Sequence, residues 1–151
     1  MSTMDDIAET KAVRAIEALK ARYFRAMDSK DWAALEAVFT IDLVADFRDA
    51  TPEHMPDMLI HGVKPYLAVL IPTLAKVITV HHGHMPEIRV EDDDHASGIW
   101  AMEDWVWPGA GSDLPFRRLH GWGYYHESYR REDGDWKIAA TRLTRLNVEV
   151  E

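Results

Sequence analysis

Tyr23 and Asp28 stand five residues apart near the end of a helical stretch. Side chains so spaced on a helix point roughly 140° apart, and both reach one cavity if the helix ends at Asp28. An aspartate at a helix C-terminus faces the negative end of the dipole, which disfavours its anion. This predicts a carboxyl whose pKa is raised toward the range useful for proton transfer. The competing reading has Asp28 capping the next helix, with Asp31 beside it on the surface. In His81-His82-Gly83-His84, strand alternation puts His81 on one face and His82 and His84 on the other. One inward histidine suits acid–base work near neutral pH; a structural histidine bonded across the sheet is the alternative. Two histidines could begin a metal site, but no H-E-x-x-H or comparable spacing adds a third ligand, so the expectation is no metal.

Asp104 shares a strand face with Trp100 and Met102, and Arg145 shares one with Thr141 and Leu143. The two could form an ion pair, or Arg145 could bind a substrate carboxylate or carbonyl. No nucleophile elbow, phosphate loop, dinucleotide fingerprint or Ser-His-Asp arrangement is present. The chain has no cysteine, which removes a thiol nucleophile and thiolate metal ligands. The remaining chemistry is cofactor-free proton transfer by Asp, His and Tyr.

Several elements must position these groups. Ala12, Ile16, Leu19, Tyr23 and Ala26 or Met27 recur at helical steps, predicting an amphipathic helix over about Asp5 to Met27. Asp28 to Asp31 breaks the pattern and offers caps for a short second helix with Trp32, Leu35 and Val38-Phe39 inside. Ile41 to Phe47 reads as a strand with Leu43, Ala45 and Phe47 on one side. Arg48 to His61, with Pro52 and Pro56, reads as a loop or flap. Gly62 to Leu74 reads as a third helix, with Pro65 in its first turn. Beyond it lie strands: Val77 to Val90 through the histidine run, Ala96 to Trp107, Phe116 to Arg130, and Trp136 to Val148. Tight polar turns at 91–94 and 132–135 make them antiparallel. Gly98, Gly121 and Gly123 inside strands suggest bulges or bends. Helices covering one face of a strongly curved antiparallel sheet give an α+β cone enclosing a pocket.

The chain has 151 residues, 47% hydrophobic and 28% charged, which fits one globular domain over residues 1–151. Six tryptophans and five tyrosines suit a ring-lined cavity, or simply a core. A net charge of -9 with no basic stripe argues against nucleic acid. No stretch approaches the ~18 apolar residues of a membrane span. The polar, acidic start from Met1 to Glu9 is unlike a signal peptide, so a cytoplasmic location is expected.

Residues 16–39, reading IEALKARYFRAMDSKDWAALEAVF, together with TVHHGHMPEI (79–88), the strand ending at Trp100 to Asp104, and GYYHESYRREDGDWKI (123–138), resemble SnoaL-like proteins. These belong to the nuclear-transport-factor-2-like superfamily, with scytalone dehydratase, bile-acid dehydratase and ketosteroid isomerase. The resemblance runs from about residue 7 to 148. It implies a cone-shaped α+β barrel, usually a homodimer or homotrimer packing through the sheet. It also implies a catalytic set matched here by Tyr23, Asp28, His81, Asp104 and Arg145. The matching histidine lies in a three-histidine run, which leaves His82 and His84 as alternatives. The function so implied is a lyase or isomerase acting on a small, hydrophobic, cyclic, oxygenated substrate. His81, oriented by Asp28, would take a proton beside a carbonyl, and Tyr23 would bond the developing enolate. Asp104 and Arg145 would hold the leaving hydroxyl or polar end, and Phe47, Trp100 and Trp122 would line the apolar wall. Dehydration, isomerisation and cyclisation all start this way. The alternative is a non-catalytic small-molecule-binding domain or an accessory subunit of the same fold.

Overall fold

The computed structural model describes residues 6–151. The expected helix start at Asp5, and most of the polar start at Met1 to Glu9, lie outside the described residues. Helix α1 (Asp6–Ser29) buries Ile16, Leu19, Tyr23, Ala26 and Met27, the stripe that a 3.6-residue period places on one side. It also buries Lys20. Asp31 caps α2 (Trp32–Ala37) by accepting from the Ala34 N–H at 3.1 Å. Asp28 is therefore not the cap. Phe39, read as the inner face of that helix, instead opens strand β1 (Phe39–Asp46). The chain straightens there because the backbone joins the sheet, with Phe39 in register with Ile138.

The segment read wholly as loop holds a single 3-10 turn (Pro56–Met58) and a short strand, β2 (Leu59–His61). Prolines hide that strand from local patterning, but it pairs with the end of β1. After α3 (Val63–Leu74) come four long strands: β3 (Val77–Val90), β4 (His95–Pro108), β5 (Leu119–Glu132) and β6 (Asp135–Val150). The sheet order is β2-β1-β6-β5-β4-β3, antiparallel throughout except for β1 beside β6. Strand β5 begins at Leu119 rather than Phe116, because the Arg117 and Arg118 N–H groups donate to the Glu151 carbonyl beyond the ladder. Asp133 and Gly134 both take left-handed backbone angles (φ 52° and 85°), which makes the two-residue turn whose twist suits a hairpin.

Helices α1 and α3 cover the concave face of the curled sheet and produce the expected cone. The core includes Ile16, Tyr23, Leu35, Leu43, Ala45 and Tyr66. Register shifts fall at Gly83/Pro86, Trp122/Gly123 and Ser128/Tyr129. Of the three strand glycines expected to bend the chain, only Gly123 sits at such a shift. Gly98 instead leaves room for the Tyr129 ring, and Gly121 for the Asp104–Arg145 pair. No helix among the described residues is long and apolar enough to cross a membrane.

Candidate active site

The last turn of α1 brings Asp28 against β3. Its Oδ1 lies 2.6 Å from Nδ1 of His81 and accepts from the Thr79 hydroxyl at 2.9 Å. Its Oδ2 accepts the His81 backbone N–H at 2.8 Å. Burial pushes the Asp28 carboxyl up, but the bonds and charge of His81, followed by the Thr79 hydroxyl, outweigh it. The net shift is downward from the usual 3.8. The expectation of a raised pKa, argued from the helix dipole, is corrected: three hydrogen bonds to the anion outweigh a dipole effect confined to the last turn. An ionised Asp28 can only accept, so Nδ1 of His81 carries the proton and the lone pair of the neutral ring lies on Nε2. Lys30 reinforces the arrangement by donating to Thr79 Oγ1 at 2.7 Å.

The structure also separates the three histidines. His81 is inward, its side chain 9% exposed, and its ring stacks on Phe24 with centroids 6.2 Å apart. His82 pairs in register with Glu103 on the outer face, its Nδ1 3.5 Å from that carboxylate. His84 is exposed. Among the described residues, no three His, Asp or Glu side chains are grouped to hold a metal ion.

Asp104 stands opposite His81 across the β3–β4 ladder, so the two share a face. Arg145 grips it bidentately, Nη1 to Oδ1 at 2.7 Å and Nη2 to Oδ2 at 2.9 Å. The guanidinium also donates through Nε to the Ala50 carbonyl at 2.8 Å and contacts Met102 Sδ through Nη1 at 3.6 Å. Four of its five N–H groups are thus engaged.

Tyr23 lies deep between α1 and the sheet. Its hydroxyl hydrogen-bonds those of Tyr66 on α3 and Tyr125 on β5. Burial, the largest cause in each, pushes all three phenols up, so they stay protonated and able to donate. Sequence reasoning missed Tyr66 and Tyr125 as site residues. The signal for Tyr66 was its place on the apolar face of α3. For Tyr125 it was the strand period through 121, 123 and 125, blurred by two glycines that carry no side chain.

The three expected wall residues part company. Phe47 stacks on Tyr66 at 5.6 Å and 3°, within the site. Trp100 faces inward, but its Nε1 donates to the Tyr129 hydroxyl at 2.8 Å, which ties it into a neighbouring buried network. Trp122 is a correction. It pairs in register with Glu103 and packs on His120 with centroids 3.9 Å apart, on the outer face away from Asp104. Period-two alternation sets Gly121, Gly123 and Tyr125 inward and Trp122 outward. Between α1 and β3 a cleft of about 260 Å³ is lined by Phe24, Gly83, His84, Met85, Pro86 and Trp100, among others. Phe24 is thus both the wall of this cleft and the ring covering His81.

Solved structures share this architecture. A candidate scytalone dehydratase from Novosphingobium aromaticivorans DSM 12444 matches with a TM-score of 0.81 at 18% identity, over 97% of this chain and 91% of that one. A hexachlorocyclohexane dehydrochlorinase (LinA) type 2 matches at 0.79 and 16%, over 97% and 93%. The Kfla4162 protein from Kribbella flavida matches at 0.78 and 25%, over 94% and 95%. The first two likenesses establish the fold alone. The SnoaL-like domain model matches residues 8–142, and the chain belongs to that family.

Proposed function

We propose that this chain is a cofactor-independent lyase or isomerase acting on a small, hydrophobic, cyclic, oxygenated substrate. The observation that carries the proposal is the 2.6 Å contact between Asp28 and His81 Nδ1, which leaves Nε2 as the base. Nε2 takes the proton from a carbon beside a carbonyl, and the released electron pair moves onto the carbonyl oxygen. Tyr23, supported by Tyr66 and Tyr125, donates to that oxygen. Asp28 stabilises the imidazolium that forms. In a dehydration the enolate re-forms its carbonyl as hydroxide leaves, and the imidazolium returns its proton to that hydroxide. In an isomerisation the proton returns to another carbon. Asp104 positions Arg145, whose remaining Nη2 proton holds the leaving hydroxyl or the polar end. Phe47 forms part of the apolar wall, and Trp100 backs it from the neighbouring network.

The neighbours named for a dehydratase and a dehydrochlorinase support elimination chemistry beginning with a proton removed from carbon. A cytoplasmic homodimer or homotrimer belongs to the same proposal, supported by the ladder of Trp107, Trp105, His120 and Trp122 stacked on the outer face. Sedimentation of a monomer at working concentrations would remove that part. One observation favours a second reading, a non-catalytic binding domain or accessory subunit. Tyr23, Tyr66 and Tyr125 are each at most 2% exposed, so a ligand must displace side chains to reach them. Crystals soaked with cyclic ketones and hydroxyketones decide between the two. The first reading expects a carbonyl oxygen bonded to Tyr23 and a neighbouring carbon facing His81 Nε2. A ligand bound elsewhere, or none, favours the second.

A further inference from the structure

Lys20 is fully buried on the apolar stripe of α1, and no step above uses it. Its Nζ donates to Glu127 Oε2 at 2.8 Å. It also lies 3.9 Å from the centroid of the Tyr23 ring and 3.7 Å from that of Tyr125. The ammonium has three N–H groups; one carboxylate and the two tyrosine faces are its nearest partners, with the Phe24 ring farther off at 5.0 Å. Glu127 is held in turn by the Thr141 hydroxyl at 2.7 Å and the Tyr129 hydroxyl at 2.9 Å, and Tyr129 accepts from Trp100.

Stability does not account for such a pair. Desolvating two charges costs about what their attraction returns, and apolar replacements of similar volume are often neutral or stabilising. The location is more informative. A cation against the face of a phenol is attracted to the ring and draws electron density from it, which strengthens the O–H as a donor. The two rings in question are those whose hydroxyls bond each other in the site. We infer that Lys20, anchored by Glu127, is a positioning residue that clamps Tyr23 and Tyr125 and sharpens their hydroxyls toward an oxyanion. This rests on the reading in which those hydroxyls receive a developing enolate.

The test uses para-nitrophenolate as an enolate mimic and para-nitrotoluene as its uncharged counterpart. The unaltered protein should bind the phenolate in preference. The double variant K20M/E127Q removes both charges while keeping packing; the glutamine oxygen accepts from one of the Thr141 and Tyr129 hydroxyls, and its amide N–H donates to the other. It should lose about tenfold or more of phenolate affinity and bind the toluene as before. A variant that keeps the full preference overturns this inference and leaves the proposed function standing. An unaltered protein with no preference for phenolate overturns both. If the double variant does not fold, the Lys20 ammonium resonance in the unaltered protein is read by NMR instead. The inference requires it to move on adding phenolate and to stay still with the toluene; an unmoved resonance overturns it.

Discussion

Gly121 faces the buried ion pair, and adding one methyl group there should break it. A Cβ at this position would sit 2.5 Å from Arg145 Nη1 and 2.7 Å from Asp104 Oδ1. Neither atom can swing aside, because the pair is bidentate and Arg145 is anchored to the Ala50 carbonyl. The backbone at Gly121 is not left-handed, so Gly121→Ala acts through the methyl group rather than through strain. Separating a buried pair costs about 3–5 kcal/mol, and alanine returns about 0.4–1 kcal/mol through the unfolded chain. The expected net loss is about 2–4 kcal/mol, read as a fall in the urea midpoint with unchanged slope. In an Asp104→Ala/Arg145→Met background the same methyl group has nothing to displace, and its cost should drop below about 1 kcal/mol. A Gly121→Ala protein as stable as the parent, or an equal loss in both backgrounds, would refute the placement of the pair.

Two further outcomes concern proton equilibria. Thr79→Val removes a donor to Asp28 and the acceptor for Lys30, so the Asp28 carboxyl should rise. A depressed carboxyl contributes stability above its ordinary pKa and loses it as pH falls through the folded value. In the valine variant that loss should begin at higher pH, read from the Asp28 carboxyl carbon resonance by NMR; an unmoved Asp28 titration would count against the network. Asp42 is held down from 3.8 to about 2, chiefly by its hydrogen bonds to Arg130. Its contribution is fully present above the ordinary value and disappears as pH falls toward about 2. Asp42→Asn should flatten thermal stability across that interval, and an unchanged acid slope would contradict this.

The first-helix stripe, the two-residue turn at Asp133–Gly134 and the strand alternation around His81 are local periodicities, and each was legible in the chain. So was the pairing of Asp104 with Arg145 as one of two stated options, since both stand on defined strand faces. What escaped depends on distant partners. Lys20 breaks an apolar stripe, and its reason for being inside, Glu127, lies 107 positions away on β5. The lowered Asp28 carboxyl depends on Thr79 and the backbone of His81, which a dipole argument does not contain. The outward position of Trp122, expected in the apolar wall, is hard to read because its inward neighbours, Gly121 and Gly123, show no side chains that mark the alternation. Strand β2 exists only because β1 offers it an edge.

The central claim is that Asp28 and His81 abstract a proton beside a carbonyl. It can be tested without knowing the product, by following exchange of α-hydrogens for deuterium in heavy water over a panel of cyclic ketones and hydroxyketones by NMR. The account predicts exchange in at least one ring ketone with the unaltered protein, slowed about a hundredfold or more in Asp28→Asn and in His81→Ala. No exchange across the panel, or exchange that survives both substitutions, would contradict it.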